Sequence, residues 1–224
     1  MEEIPEKIIV VGDISTGKTS LICRFVNNEY DEQTEPTLGS TFTKQSITFG
    51  DKILELRLYD TSGDERFRSL TQMYFRGSKC VLLMIDLGNR ESFNSIDYWI
   101  GVIHSYSSPN IPIILVGTKS DLPRWEVTEK ELQTIAKKNK ISCMITSAKN
   151  NVNVKETFEL AGKLAYNYDV TENDSYQTLN TEEQKKIRED LKKETITSDT
   201  LFHSQHKSYQ PEEKRSFFSF CSLF

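Results

Sequence analysis

Hydrophobic and polar positions fall in alternating blocks along the first three quarters of the chain, and the blocks switch between two periods. Lys7–Val11 is a short apolar run and predicts a strand. Gly17–Asn27 predicts a helix with Leu21, Ile22 and Phe25 on one face. Thr41–Phe49 and Lys52–Asp60 predict two strands, and the short polar Gly50-Asp51 link favours an antiparallel hairpin. Cys80–Asp86 and Ile113–Thr118 are continuous apolar runs, as expected of strands buried on both faces. Ile141–Thr146 supplies a further strand. Helices are predicted over Ser92–Ser107, Thr128–Lys138 and Val154–Tyr166.

Strand alternating with helix predicts an α/β fold. Its sheet is mainly parallel and doubly wound, of about six strands with one antiparallel edge strand and about five flanking helices. Ligands of such sheets bind beyond the carboxyl ends of the strands. The pattern stops near Asp169, beyond which the chain is polar and rich in Thr, Ser, Glu and Lys. Thr181–Glu194 has helical spacing, with a capping box from Thr181 to Gln184 and with Ile187 and Leu191 four apart. Two apolar residues cannot bury a core, so this stretch is expected to be disordered or marginally helical.

Composition narrows the class. Hydrophobic residues make up 37% of the chain and charged residues 27%, which suits a soluble domain. No apolar run approaches the ~18 residues that span a bilayer. The acidic start at Met1-Glu2-Glu3 lacks the regions of a signal peptide, so the chain is expected in the cytosol. A net charge of −5 argues against general affinity for nucleic acid. Cys23, Cys80 and Cys143 are too scattered for a disulfide framework or a zinc site and read as small buried residues.

Gly12-Asp13-Ile14-Ser15-Thr16-Gly17-Lys18-Thr19 fits G-x-x-x-x-G-K-[ST], directly after one strand and opening a helix. The glycines allow a tight loop whose N–H groups face a phosphate chain, and the helix N-terminus adds positive potential. Lys18 can reach the β and γ phosphates, and the Thr19 hydroxyl can bind Mg²⁺. This loop alone does not choose between ATP and GTP. The choice falls to Thr118-Lys119-Ser120-Asp121, which follows a buried strand. A carboxylate at Asp121 can accept from both the N1–H and the exocyclic amine of guanine, whereas adenine offers it an acceptor at N1. The stem of Lys119 can pack along the base.

Five motifs then stand in order: Gly12–Thr19, Pro36-Thr37, Asp60-Thr61-Ser62-Gly63, Thr118–Asp121 and Thr146-Ser147-Ala148-Lys149. In this order they resemble the Ras superfamily of small GTPases, a P-loop NTPase G domain, over about residues 6–168. Glu65-Arg66-Phe67-Arg68-Ser69-Leu70-Thr71 and Tyr74-Phe75-Arg76-Gly77-Ser78 resemble the Rab branch, and Leu38-Gly39-Ser40-Thr41-Phe42 is a looser match. The resemblance implies GTP or GDP bound with Mg²⁺. Thr37 and Asp60 join Thr19 around the metal, and the Gly63 N–H touches the γ phosphate. Ser20 meets the α phosphate, Tyr30 stacks on the guanine, and Ser147, Ala148 and Lys149 meet the base edge. Lys18, Thr37 and the residue at position 64 are the catalytic candidates. Thr37 and Gly63 act as springs that relax when the γ phosphate leaves. The resemblance further implies effectors at the switch loops around Phe42, Phe67, Tyr74 and Phe75, some of which pack on the sheet instead. An exchange factor, an activating protein and a prenyl-binding escort are also expected.

The chain departs from that family at five positions. Asp64 stands where Gln is usual; it can only accept hydrogen bonds, and its charge has the wrong sign beside a γ phosphate. Ile14 is β-branched where relatives carry Gly, Ala or Ser. It points toward the γ phosphate and crowds an incoming arginine finger, while Ser15 replaces a common glycine. Slow intrinsic hydrolysis is therefore expected, although an activating protein that brings its own glutamine would bypass Asp64. Thr118 replaces the usual Asn and keeps only a hydroxyl. Tyr59 replaces a usual Trp, with an effect on packing alone.

The chain ends Cys221-Ser222-Leu223-Phe224, a C-a-a-X pattern whose terminal Phe favours geranylgeranyl. The expected organisation is thus a G domain over 6–168, a polar tether over 169–220 and a lipidation motif over 221–224. Such a chain is cytoplasmic and held on the cytosolic face of a membrane. One lipid needs a second signal, for which Phe217, Phe218 and Phe220 are candidates. Two readings follow: a GTP/GDP switch in vesicle trafficking, or a docking module largely locked with GTP. A P-loop ATPase or kinase is opposed by Asp121 and Ser147–Lys149.

Overall fold

The computed structural model describes residues 3–33, 35–37, 39–64 and 73–168. A six-stranded sheet runs through it in the order β2-β3-β1-β4-β5-β6. The strands are β1 (Glu3–Val11), β2 (Ser40–Phe49), β3 (Lys52–Thr61), β4 (Cys80–Asp86), β5 (Ile113–Thr118) and β6 (Ser142–Ile145). β2 pairs antiparallel with β3, from Ser40 opposite Thr61 to Phe49 opposite Lys52. The other neighbours are parallel. This is the mainly parallel sheet with one antiparallel edge strand that the sequence predicts.

Helices cover both faces: α1 (Lys18–Asn27), α2 (Arg90–Asn94), α3 (Ile96–Tyr106), α4 (Glu129–Asn139) and α5 (Val154–Asn167). Strand side chains point alternately to the two faces, so a continuous apolar run fills two cores. Ile9, Val11, Val81, Leu83 and Ile85 pack under Trp99 and Ile103 of α3 and Leu132 of α4. Ile8, Val10, Leu82 and Met84 pack under Leu21 of α1 and Phe158 of α5. Phe25 of α1 stacks on Phe158 at 4.2 Å, which joins the two helices of that face. Each fully buried Leu or Ile contributes about 1.5–3 kcal/mol. Truncating Leu83, fully buried in the central strand β4, would remove about 2–5 kcal/mol.

Several boundaries differ from the sequence expectation. β1 begins at Glu3 rather than Lys7, because pairing with β3 runs from Glu3 opposite Ile53 to Val10 opposite Asp60. Pairing with β3 carries that extension through Glu3-Ile4-Pro5-Glu6, where the sequence has no apolar run. The helix expected over Ser92–Ser107 is two helices, α2 and α3. Ser95 closes the first and opens the second, and Asn89 caps α2 through Glu91 N–H. Cys80 is buried, whereas Cys23 and Cys143 are only half-buried. No described helix is long and apolar enough to cross a membrane. The motif Glu65–Thr71 with Phe67, the Thr181–Glu194 segment, the 169–220 tether and Cys221 lie outside the described residues.

Candidate functional site

The five parallel strands end at one edge, and the loop that leaves β1 there is built on two glycines. Gly12 has φ +138°, and a Cβ on it would lie 2.3 Å from the Met84 carbonyl oxygen of β4. Gly17, the residue before α1, has φ +82°. Glycine adopts both conformations at no steric cost, and at Gly12 the close Met84 carbonyl leaves no room for a side chain. Ser15, with φ 61°, takes a left-handed conformation that its side chain disfavours. Lys18 opens α1 and is buried; its Nζ donates to the carbonyls of Gly12 (3.0 Å) and Asp13 (2.7 Å). Burial pushes its ammonium down to about 8, against the pull of Asp60 and Asp13. No acidic residue of α1 itself stands in its first turn.

Three oxygens converge beside this loop. The Thr19 hydroxyl donates to Asp60 Oδ2 at 2.6 Å and lies 2.8 Å from the Thr37 hydroxyl. Thr37 in turn reaches Asp60 Oδ2 at 3.3 Å. These groups come from α1, from the loop before β2 and from the end of β3. Asp60 Oδ1 is buried without a hydrogen-bond partner. Burial raises the Asp60 carboxyl, and Thr19, Lys18 and Thr37 draw it back. Two hydroxyls and a carboxylate with one unpaired buried oxygen fit a hard cation such as Mg²⁺, which keeps several waters. Among the described residues no cluster of three or more His, Cys, Asp or Glu side chains forms a site for a softer metal.

The loop after β3 rests on the phosphate loop. A Cβ on Gly63 would lie 2.3 Å from the Asp13 carbonyl carbon and 2.4 Å from the Ile14 nitrogen. Ser62 N–H donates to the Gly39 carbonyl at 2.8 Å, which ties this loop to the one carrying Thr37. The Asp64 N–H turns back to the Ser62 hydroxyl at 3.3 Å. Ile14 is 50% exposed at the tip of the phosphate loop. Asp13 is anchored differently: its carboxylate accepts from Ser95 Oγ at 2.6 Å and from Trp99 Nε1 at 2.8 Å. Only the Asp13 backbone is left to face a ligand. Ser20 follows Thr19 in α1 and is half-buried.

The segment after β5 folds against the same loop. The Thr118 hydroxyl has two carbonyls in reach, Thr16 at 2.8 Å and Ile85 at 2.9 Å. Thr118 was expected to keep only a hydroxyl, and that hydroxyl ties the two loops together. Lys119, with φ 58°, pairs with Asp86 at 2.7 Å. Ser147 Oγ donates to Asp121 Oδ1 at 2.5 Å and fixes that carboxylate. Arg24 of α1 holds the Ala148 carbonyl at 2.7 Å and lies 6.0 Å from the Tyr30 ring. Lys149 pairs with Glu32, which raises its ammonium.

Sequence reasoning missed Asp86, Arg24, Ser95 and Trp99. Asp86 carried a signal, a carboxylate at the carboxyl end of a buried strand; the other three carried none. Among the aromatics expected near the switch loops, Phe42, in β2, is 47% exposed while Phe75 is buried. Tyr59 links Phe42 (5.0 Å) to Tyr74 (5.8 Å) in one aromatic row.

A model of the Ras family matches residues 7–167. The Ras-related protein RABF2b of Arabidopsis thaliana is 37% identical over 165 residues, 73% of this chain and 82% of that protein. Rab-11C of Dictyostelium discoideum is 39% identical over 154 residues, 68% of this chain and 69% of its own. Human Rab-4B is 39% identical over 153 residues, 68% of this chain and 72% of its own.

Proposed function

The chain belongs to the Ras family, among its Rab-like members, and from that premise we propose that it is a GTP/GDP switch with slow intrinsic hydrolysis. The observation that carries this reading is the meeting of Thr19, Thr37 and Asp60 next to a loop on which Gly63 rests. One helix residue, one loop residue and one strand residue share a site that a phosphate and a cation would complete.

In this reading the backbone of Asp13–Lys18 wraps the β phosphate, with Ile14, Ser15, Thr16 and Gly17 supplying N–H groups. Lys18 neutralises charge on the β and γ phosphates, and Ser20 meets the α phosphate. Thr19, Thr37 and Asp60 would hold Mg²⁺, which supplies positive charge against the phosphates. Asp121, held by Ser147, accepts from guanine, and Thr118 fixes the loop without touching the base. Lys119, Tyr30, Ala148 and Lys149 enclose the ring. Thr37 and Gly63 sense the γ phosphate, so their loops carry the signal to effectors over the Phe42, Tyr59 and Tyr74 row.

Ile14 and Asp64 support slow turnover. The first puts a branched apolar side chain at the open face of the loop, and the second offers a carboxylate where a donor is needed. The same pair favours a second reading, a docking module held in the GTP state. Residues 169–220 serve as a tether and Cys221 carries a geranylgeranyl group, which attaches the G domain to a membrane in vesicle trafficking. An exchange factor, an activating protein and a prenyl-binding escort complete the cycle.

Nucleotide content of the purified chain tests the binding reading, and single-turnover hydrolysis tests the rate. Guanine nucleotide in the preparation is expected, and adenine nucleotide overturns the reading. Turnover as fast as that of human Rab-4B measured alongside removes the slow step. Bound GTP with no measurable turnover selects the docking module. Membrane partition of the prenylated chain against Cys221→Ser tests the anchor.

A further inference from the structure

We propose that Ser95 and Trp99 of α3 are positioning residues for the nucleotide, clamping the phosphate loop through the Asp13 carboxylate. The inference rests on the nucleotide reading above.

Asp13 is the node of the loop. Its carbonyl accepts from Lys18 Nζ at 2.7 Å and from Thr16 Oγ1 at 2.8 Å. Its peptide lies against Gly63. Its carboxylate leaves the loop altogether, toward α3, which packs on the sheet face opposite α1. There Trp99, 2% exposed, donates its indole N–H to Oδ1 at 2.8 Å, and Ser95 donates to Oδ2 at 2.6 Å. Ser95 is the N-cap residue of α3, yet its side chain makes no cap bond within that helix. Its hydroxyl has the Ser92 carbonyl 2.9 Å away as an alternative acceptor, and the charged acceptor is nearer. A helix cap is given up to hold a loop carboxylate.

The chemistry explains why that carboxylate needs holding. A loop built to bind phosphate carries a negative side chain next to its first glycine. Left free, it would swing over the anion site and repel the phosphates. Two charge-assisted hydrogen bonds pin it toward α3 and leave the Asp13 backbone oriented for Lys18. The clamp therefore controls an electrostatic quantity as well as a shape, and this separates it from ordinary packing.

The test uses the full chain loaded with Mg²⁺ and a fluorescent GDP, with dissociation followed after excess GDP is added. Ser95→Ala and Trp99→Phe remove one hydrogen-bond donor each and keep the helix and most of the ring. Together they are expected to release GDP roughly tenfold faster, the loss of one or two charge-assisted bonds. Asp13→Ala added to that pair is expected to slow release again, to the rate of Asp13→Ala alone, since no charge then remains to be held. Wild-type release from Ser95→Ala/Trp99→Phe overturns the proposal. So does a triple variant that releases GDP as fast as the pair, because the effect is then packing. If Trp99→Phe fails to fold, Ser95→Ala and its combination with Asp13→Ala carry the same test, since that hydroxyl makes no cap bond within α3. A wild-type chain that retains no GDP overturns the nucleotide reading itself, and the clamp with it.

Discussion

The Thr118 hydroxyl lies 2.8 Å from the Thr16 carbonyl, so the segment that follows β5 is bonded directly to the phosphate loop that follows β1. The residues are 102 positions apart in sequence, and the bond is buried. One hydroxyl proton serves two carbonyls there, Thr16 and Ile85. Thr118→Val keeps the shape and strips the donor, leaving buried carbonyls short of a partner at about 1–3 kcal/mol. The expected result is a lower melting temperature and GDP release roughly tenfold faster. Unchanged release would show that Thr118 does not couple the two loops.

Asp60 is expected to trade stability for cation binding. Burial raises its carboxyl above the usual range, so the ionised form strains the fold at neutral pH. The sign follows directly. A carboxyl with a raised folded pKa favours folding in acid, and that contribution is lost as pH rises through the folded pKa. Asp60→Asn removes the charge at the same size. Nucleotide-free Asp60→Asn should melt higher than wild type at neutral pH, with a difference that shrinks in acid. Its melting temperature should also stop responding to added Mg²⁺ and GDP. Thermal scans with and without Mg²⁺ and GDP, at two pH values, check both halves.

Glu6 provides a second linkage far from the site. It is fully buried in β1, its Oε1 has no hydrogen-bond partner, and Lys79 Nζ lies 3.2 Å from Oε2. Burial raises the Glu6 carboxyl and Lys79 lowers it, with burial the larger. Its stabilising share is thus present in acid and lost as pH rises through the folded pKa. Glu6→Leu should stabilise the domain at neutral pH by about 1–4 kcal/mol, with a gain that falls away in acid. Lys79→Ala should destabilise it, by less than the ~3–5 kcal/mol of a fully buried pair, because Lys79 is 33% exposed. Urea unfolding at pH 5 and pH 7.5 measures both; a pH-independent Glu6→Leu gain contradicts the linkage.

What the sequence revealed is what short range and periodicity encode. The apolar runs at Cys80–Asp86 and Ile113–Thr118 have one solution, a strand with both faces covered. Gly12, Gly17 and Lys18 are contiguous chemistry in a contiguous loop. Thr19 was legible from its own loop, but Thr37 and Asp60 were legible only through the ordered motifs, because no pattern within any one segment says that three oxygens meet. Trp99 shows the limit. Helical spacing marks it as core, and it is core, yet its indole N–H bonds a loop 86 residues earlier. Glu6 hides for the opposite reason: a polar residue before an apolar run reads as a solvated strand end, and β3 pairing carries it inside.

Hydrolysis is where this chain's own residues make the sharpest prediction. Ile14 is half exposed on a loop whose backbone touches Gly63, and Asp64 follows Gly63 directly. In the proposed reading, a water attacking a γ phosphate there would meet a branched apolar side chain and a carboxylate that accepts but does not donate. Asp64→Gln restores a donor in place of a charge of the wrong sign, and one such donor is worth about 10²–10³ in rate at other enzymes. Part of that gain is blocked while Ile14 crowds the same space, so Asp64→Gln alone should give roughly tenfold in the single-turnover rate. Ile14→Gly alone should give less, since no donor is added. The two together should exceed the product of the single effects, because each change permits the other to act. A double variant no faster than wild type would place the rate limit elsewhere, in the relation between the Thr37 and Gly63 loops that Ser62 and Gly39 join at 2.8 Å.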